Sequence, residues 1–173
     1  MTAEDSVDAS PSRRPLLWLV AALIVLDQLT KAFIRSKLEL YDSIPVIPGS
    51  FDLTRVHNAG AVFGMLNTVH FPFKALALAL VAAAALVGVA FYATTLPPSQ
   101  WLARTGLACI VGGATGNLID RLVMGYVIDF VDVYWRGWHF WAFNVADAAI
   151  TIGVGLMILD VLGAGHRHVS RAV

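Results

Sequence analysis

Charge is scarce in this chain, and cysteine is almost absent. Only 14% of its 173 residues are Asp, Glu, Lys or Arg, 58% are hydrophobic, and the mean hydropathy of +0.71 lies outside the range of soluble globular domains. Acidic and basic residues balance at twelve each, so there is no basic excess to suggest a nucleic-acid partner or a polybasic membrane clamp. The lone Cys109 allows no intramolecular disulfide and reads as a small buried residue of an apolar stretch. The histidines, at 57, 70, 139, 166 and 168, lack the paired spacing of a helical metal site such as H-E-x-x-H. No catalytic metal and no other cofactor is therefore expected. Serine is missing from the interior of the apolar stretches and Cys109 has no histidine near it in sequence, so a serine or cysteine nucleophile is poorly supplied. Carboxylates and carboxamides remain.

Four apolar stretches are present, at residues 15–34, 71–92, 101–122 and 143–162, each near the ~20 residues that a membrane-spanning helix needs. Arg13 and Arg14 followed by an apolar run also open a secretory signal peptide, but no A-x-A-like site closes this run, which continues through D-Q-L-T-K into A-F-I-R. The expected fold is thus a mainly α membrane protein with four transmembrane helices and one domain over residues 15–165. A disordered polar tail is expected at 1–14 and a short C-terminal tail at 166–173. Residues 36–70 alternate polar and apolar positions around Pro45, Pro48 and Gly49 and read as a small β-rich cradle on the membrane surface. Residues 123–142, rich in aromatics and carrying Gly125 and Gly137, form a second surface segment before the last helix.

Four spans put both termini on one side. Basic residues lie on both sides, but the arginine pair beside the first helix favours cytoplasmic termini, with the cradle and the 123–142 segment extracytoplasmic. Whichever side is outside, the end of the first helix, the end of the third and the start of the fourth share the face opposite the termini. Asp27, Asn58, Asn117, Asp120, Asp129, Asn144 and Asp147 therefore converge there. An ionisable group at membrane depth costs about 2.5–3.5 kcal/mol on insertion scales, so such residues usually face a bundle interior and mark a working site.

Asp27 and Lys31 are spaced for a helical ion pair, with mutual neutralisation and lysine snorkelling as the alternative. Asn117, Asp120 and Arg121 can share a face of the third helix, where Asp120 and Arg121 are equally readable as structural ion-pair members. Gly112 and Gly116 form a small-x-x-x-small spacing suited to close helix packing. Asn144 and Asp147 share the start of the fourth helix; capping accounts for one of them but poorly for Asp147, which stands in an apolar run. Asp129 is flanked by apolar residues where a loop could dip into the bilayer surface, and Asp132 reads as solvated. Two close aspartates cannot easily both ionise, so a pair can activate water with one carboxylate while its protonated partner polarises a carbonyl and then protonates the leaving amine. The residues alone leave Asp120 as good a member of such a pair as Asp129. A small proton-coupled transporter is the competing reading. Against it, the second helix is featureless and the polar positions gather at one end.

Taken together, D-Q-L-T-K at 27–31, H-N-A-G-A-V-F-G at 57–64, G-G-A-T-G-N-L-I-D-R-L at 112–122, V-I-D-F-V-D at 127–132 and F-N-V-A-D-A-A-I at 143–150 resemble the bacterial lipoprotein signal peptidases, the signal peptidase II family. The resemblance spans nearly all of the chain beyond the polar tail. It implies an aspartic endopeptidase of the bacterial inner membrane that cleaves diacylglyceryl-modified prolipoproteins before the lipid-bearing cysteine, with Asp129 and Asp147 as the catalytic pair. It further implies substrate-contact or supporting roles for Asp27, Lys31, Asn58, Gly60, Asn117, Asp120, Arg121 and Asn144. Membrane lipids as surroundings, a working monomer, inhibition by globomycin-type cyclic peptides and a lid at 123–142 follow as expectations. Trp141 and Ala148 depart from residues frequent in the family, and neither touches the implied pair.

Overall fold

The computed structural model describes residues 14–60 and 72–169. The polar tail, Arg14 aside, residues 61–64 of the H-N-A-G-A-V-F-G segment and the last residues of the C-terminal tail lie outside the described residues. The order is α1 Arg14–Lys37, β1 Ser43–Ile47, β2 Phe51–Asn58, α2 Lys74–Thr95, α3 Trp101–Met124, β3 Val127–Trp135, β4 Trp138–His139 and α4 Val145–Val169. All four helices are long and apolar enough to cross a membrane. Their outward faces carry Leu29, Phe33, Leu80, Phe91, Ile158 and Leu162, all exposed. That is the pattern of a surface meeting lipid, because lipid tails impose no penalty on apolar side chains.

Helix α3 is the hub, in contact with α1, α2 and α4, and small residues let the backbones approach. A Cβ at Gly112 would lie 3.0 Å from Leu23 of α1, and one at Gly106 would lie 2.6 Å from the Gly153 carbonyl of α4. By contrast α2 buries only Ala79. It packs on α3 and stands off from α4, and a cavity lies between the three helices.

At its extramembrane end α3 stops at Gly125, left-handed at φ 79°, whose N–H returns to the Arg121 carbonyl. The chain then enters β3. The sheet is antiparallel in the order β1-β2-β3-β4, so the segments expected as a separate cradle and lid share one sheet. Asp129 accordingly sits on a strand and not in a loop dipping into the bilayer. Alternation along β3 supplies the reason: Ile128 and Phe130 are buried against Ile34 and Leu38 at the end of α1, while Val127 and Asp129 face the cavity. The β3–β4 turn is a two-residue one, Arg136 and Gly137 at φ 50° and 81°, the twist-compatible hairpin form. The chain then returns to β3, where the Phe143 N–H donates to the Val131 carbonyl at 3.1 Å and the Phe143 carbonyl accepts from Val131 at 2.8 Å. Asn144 follows at once as N-cap of α4.

The helix bounds shift modestly from expectation. Pro72 and Phe73 precede α2 as a turn, so it begins at Lys74. No proline interrupts α4, which runs on to Val169, into the segment expected as a tail.

Candidate active site

The lowest layer of the site is an ion triad closed inside the bundle. Lys31 Nζ lies 2.8 Å from Asp27 Oδ2 and 2.8 Å from Asp120 Oδ2, and it donates to Asn117 Oδ1 at 2.9 Å. Two of its ammonium N–H groups make hydrogen bonds, to Asp27 and Asn117, and Asp120 adds an ion pair. Lys31 is 2% exposed, so it does not snorkel; the two carboxylates replace its hydration where the interface would otherwise have done so. Asp27 also reaches across to α4 and accepts the Ala146 N–H at 3.0 Å, one of the donors that a helix start leaves without an internal partner. Asp120 accepts from the Ile128 N–H and from Gln28, which ties α3 to the start of β3. Gln28 also donates to Asp27 and to the Gly116 carbonyl. Sequence reading named the D-Q-L-T-K segment and passed over this glutamine, although an amide beside an acid in an apolar run was the available signal.

Above the triad, three asparagines are each locked in one orientation by a partner on their oxygen. Asn117 Oδ1 accepts from Lys31, so its amide N–H₂ must face Asp147, to which it donates at 2.8 Å. Asn144 Oδ1 accepts the Asp147 backbone N–H at 2.9 Å, and its N–H₂ donates to Asp129 Oδ1 at 2.7 Å. Asn58 Oδ1 accepts from Gly60 N–H at 3.0 Å, and its N–H₂ donates to Asp129 Oδ2 at 3.1 Å. The amide assignments are fixed by chemistry, since any flip would set two donors or two acceptors against each other. Asp147 Oδ2 in turn accepts the Asn144 backbone N–H at 3.2 Å, which completes a reciprocal capping box at the start of α4. Asp147 thus does take part in the cap, contrary to the expectation from its apolar surroundings.

Asp129 and Asp147 both hydrogen-bond to Asn144, which is fully buried, and both line the cavity. Burial, reinforced by the neighbouring Asp147 carboxylate, pushes the Asp129 carboxyl up to about 7, against the opposing pull of the Asn58 and Asn144 amides and the Lys31 charge. The cavity holds about 370 Å³. Asn58, Asn117 and Arg121 share its polar end with the two aspartates, while Val81, Ala85 and Leu86 of α2 and Phe140 and Phe143 of the returning segment make its apolar wall. The α2 residues were invisible to sequence reading because a helix of alanine, leucine and valine carries no local mark of lining a site.

The structure brings all ten residues singled out from sequence into one connected network, in two tiers. Asn58, Asn117, Arg121, Asp129 and Asp147 reach the cavity, whereas Asp27, Lys31, Asp120 and Asn144 are buried behind it. Gly60 contributes backbone: its N–H holds Asn58, and its carbonyl accepts from Arg121 at 3.3 Å. Asp120, left equal to Asp129 by sequence, faces Lys31 instead of the cavity. Asp132 pairs with His139 at 3.0 Å, away from the site. Among the described residues no cluster has the composition of a metal centre.

Comparison with known proteins follows the same lines. The family model described as signal peptidase (SPase) II matches residues 19–163. A lipoprotein signal peptidase of Geobacter metallireducens is 46% identical over 160 residues, covering 91% of this chain and 96% of the relative. Those of Syntrophotalea carbinolica and Pseudomonas aeruginosa are 43% and 41% identical, covering 88% and 86% of this chain and 94% and 88% of the relatives. Two solved structures, both described as a bacterial membrane enzyme, superpose with TM-scores of 0.76 and 0.77 at 28% and 27% identity. They cover 87% and 86% of this chain and 88% and 93% of the solved chains. The transporter alternative finds no support in these matches.

Proposed function

The chain belongs to the signal peptidase II family, and from that premise and the geometry above we propose that Asp129 and Asp147 are its catalytic pair. It is a multi-pass membrane protein and an aspartic peptidase that removes signal peptides from prolipoproteins. The single observation that supports the pair best is that these two carboxylates, alone of the aspartates among the described residues, share the cavity wall and a common partner in Asn144. Near neutral pH the pair holds one proton. The charged carboxylate activates water toward the scissile carbonyl, the protonated one polarises that carbonyl, and the proton then passes to the leaving amine. Asn58, Asn117 and Arg121 line the path of the substrate backbone, with Gly60 setting Asn58 and Arg121. Asp27, Lys31, Asp120 and Asn144 hold the site in register from behind.

The substrates on this reading are diacylglyceryl-modified prolipoproteins, cut before the lipid-bearing cysteine. Acyl chains contribute about 0.8 kcal/mol per buried methylene, so a diacylated cysteine stays at the bilayer surface and its neighbouring bond must be cut there. The carboxylates stand where helices give way to sheet, the level at which such a bond would lie. The reading further takes the chain as a monomer in lipid in the bacterial inner membrane, with cytoplasmic termini and an extracytoplasmic site. It takes residues 15–165 as one domain, residues 123–142, which include the β3–β4 hairpin, as a lid, and globomycin-type cyclic peptides as inhibitors.

The test is cleavage of a synthetic diacylglyceryl-modified prolipoprotein by the purified protein in detergent or lipid, with chelator as control. Wild type should cut before the modified cysteine with or without chelator, and folded Asp129→Asn and Asp147→Asn should not. Cleavage by both variants would remove the dyad from the reading.

A further inference from the structure

Lys31 does not touch the cavity, yet one of its three ammonium protons is directed at the oxygen of Asn117, whose N–H₂ faces a wall carboxylate. Asp27 accepts a second proton and Asp120 lies 2.8 Å away as an ion-pair partner, so the two carboxylates already neutralise Lys31 and the link to Asn117 at 2.9 Å adds a contact beyond that. Its effect is directional. A positive charge on the amide oxygen fixes the amide against flipping and strengthens its N–H as a donor, since hydrogen bonds in series polarise one another in a low-dielectric interior. That donor lies 2.8 Å from Asp147 Oδ1. Asp147 also sits in the first turn of α4, where the helix dipole favours negative charge, and accepts the Asn144 backbone N–H there. Asp129 lies on a strand, away from any helix start, and both of its donors are neutral side-chain amides whose oxygens are held by backbone N–H groups, Asn58 by Gly60 and Asn144 by Asp147; the charges of Lys31 and Arg121 act on it through space.

From this asymmetry we propose that Lys31 is a positioning residue of the dyad which, acting through Asn117, keeps Asp147 as the ionised member and leaves the shared proton on Asp129. The inference rests on the Asp129–Asp147 pair being the catalytic one. It assigns Asp147 to water activation and Asp129 to protonation of the leaving amine. Among the described residues the charged groups that act on Asp147 are Lys31 from α1, Arg121 from α3 and Asp129 from β3. Those facing Lys31 are Asp27 on its own helix and Asp120 on α3. Arg121 is held by the Gly60 and Asn117 carbonyls and is untouched by the variants below.

The experiment is the pH profile of kcat/KM, together with kcat and KM at the optimum, for wild type, Asn117→Ala and the charge-balanced pair Lys31→Gln with Asp120→Asn. Asp129→Asn and Asp147→Asn are assayed beside them, and thermal unfolding in detergent reports folding. Asn117→Ala leaves the ion triad whole. It should lower kcat about 10²-fold with KM little changed, and it should move the acid limb up by about one pH unit while the alkaline limb stays. The double variant should move the acid limb in the same direction. If it does not fold, Asn117→Ala decides alone. The proposal is overturned if the acid limb keeps its wild-type position, if only the yield of folded enzyme falls, or if folded Asn117→Ala has no measurable cleavage, which would mark Asn117 as acting directly. Continued cleavage by either dyad variant would instead remove the reading beneath it.

Discussion

Replacing Gly116 with alanine asks whether the helix packing and the buried ion triad are one structure. A Cβ there would lie 2.5 Å from Asp27 Oδ2 and 3.1 Å from its Cγ. Ordinary contact begins near 3.5 Å, so the carboxylate must retreat by roughly 1 Å. It has nowhere to go freely. Asp27 is fully buried, one oxygen holds Lys31 at 2.8 Å, and the other holds the Ala146 N–H at 3.0 Å. Either those bonds stretch or α1 separates from α3. Overpacking costs about 1–3 kcal/mol, and removing one partner from a buried ion pair about 3–5 kcal/mol. The gain in helix propensity offsets about 1 kcal/mol. A partial disruption therefore gives a net loss of about 2–4 kcal/mol. Gly155→Ala in α4 is the control, because a Cβ there meets nothing within 4 Å and only the propensity gain applies. Thermal unfolding of both variants in the same detergent is the assay. Gly116→Ala should melt well below wild type and Gly155→Ala at or above it. Equal midpoints would refute the reasoning, since they would mean that α1 and α3 shift apart without strain on the triad.

Three further outcomes are expected. Asp129 is raised to about 7, so cleavage should decline as pH rises through that value and the dyad loses its proton; Asn58→Ala removes an N–H that favours the charged form and should carry this alkaline limb to higher pH, and an unmoved limb would count against it. Asn144→Ala removes the N-cap of α4 and a donor to Asp129 together; a loss of about 1 kcal/mol in stability should accompany a much larger loss in kcat. Ala85→Phe projects into the cavity from a helix that packs loosely, so it should raise KM or abolish binding with little change in melting temperature, and an unchanged KM would mean that substrate enters by another wall.

Helices were the legible part of this fold because each announces itself locally, by about twenty apolar residues between polar ends. The convergence of the polar positions was legible too, since an even number of spans fixes which helix ends meet. Strand pairing was not. Residues 51–58 and 127–133 form one ladder, but they are separated by two membrane helices, and neither sequence states its partner, so cradle and lid were read as separate objects. The choice between Asp120 and Asp129 failed for a related reason. Both are acids three or more residues beyond a turn or breaker, and only their surroundings, Lys31 for one and the cavity for the other, tell them apart. Family resemblance supplied that choice where local pattern could not. Asp147 shows the opposite error: its apolar neighbours argued against capping, yet a carboxylate at the third position of a helix can cap and face a cavity at once.

The backbone pairing of Val131 with Phe143 closes the eleven residues between them into a loop, and both aspartates lie outside that loop, beyond its base. The paired hydrogen bonds of Val131 and Phe143 stand between the Trp135–Trp138 tip and the carboxylates. A change of length or of aromatics confined to the hairpin tip would leave the hydrogen bonds of Asp129 and Asp147 in place. A fluorophore or short tag placed at the Arg136–Gly137 turn would by the same logic report on arriving substrate without disabling the enzyme that receives it.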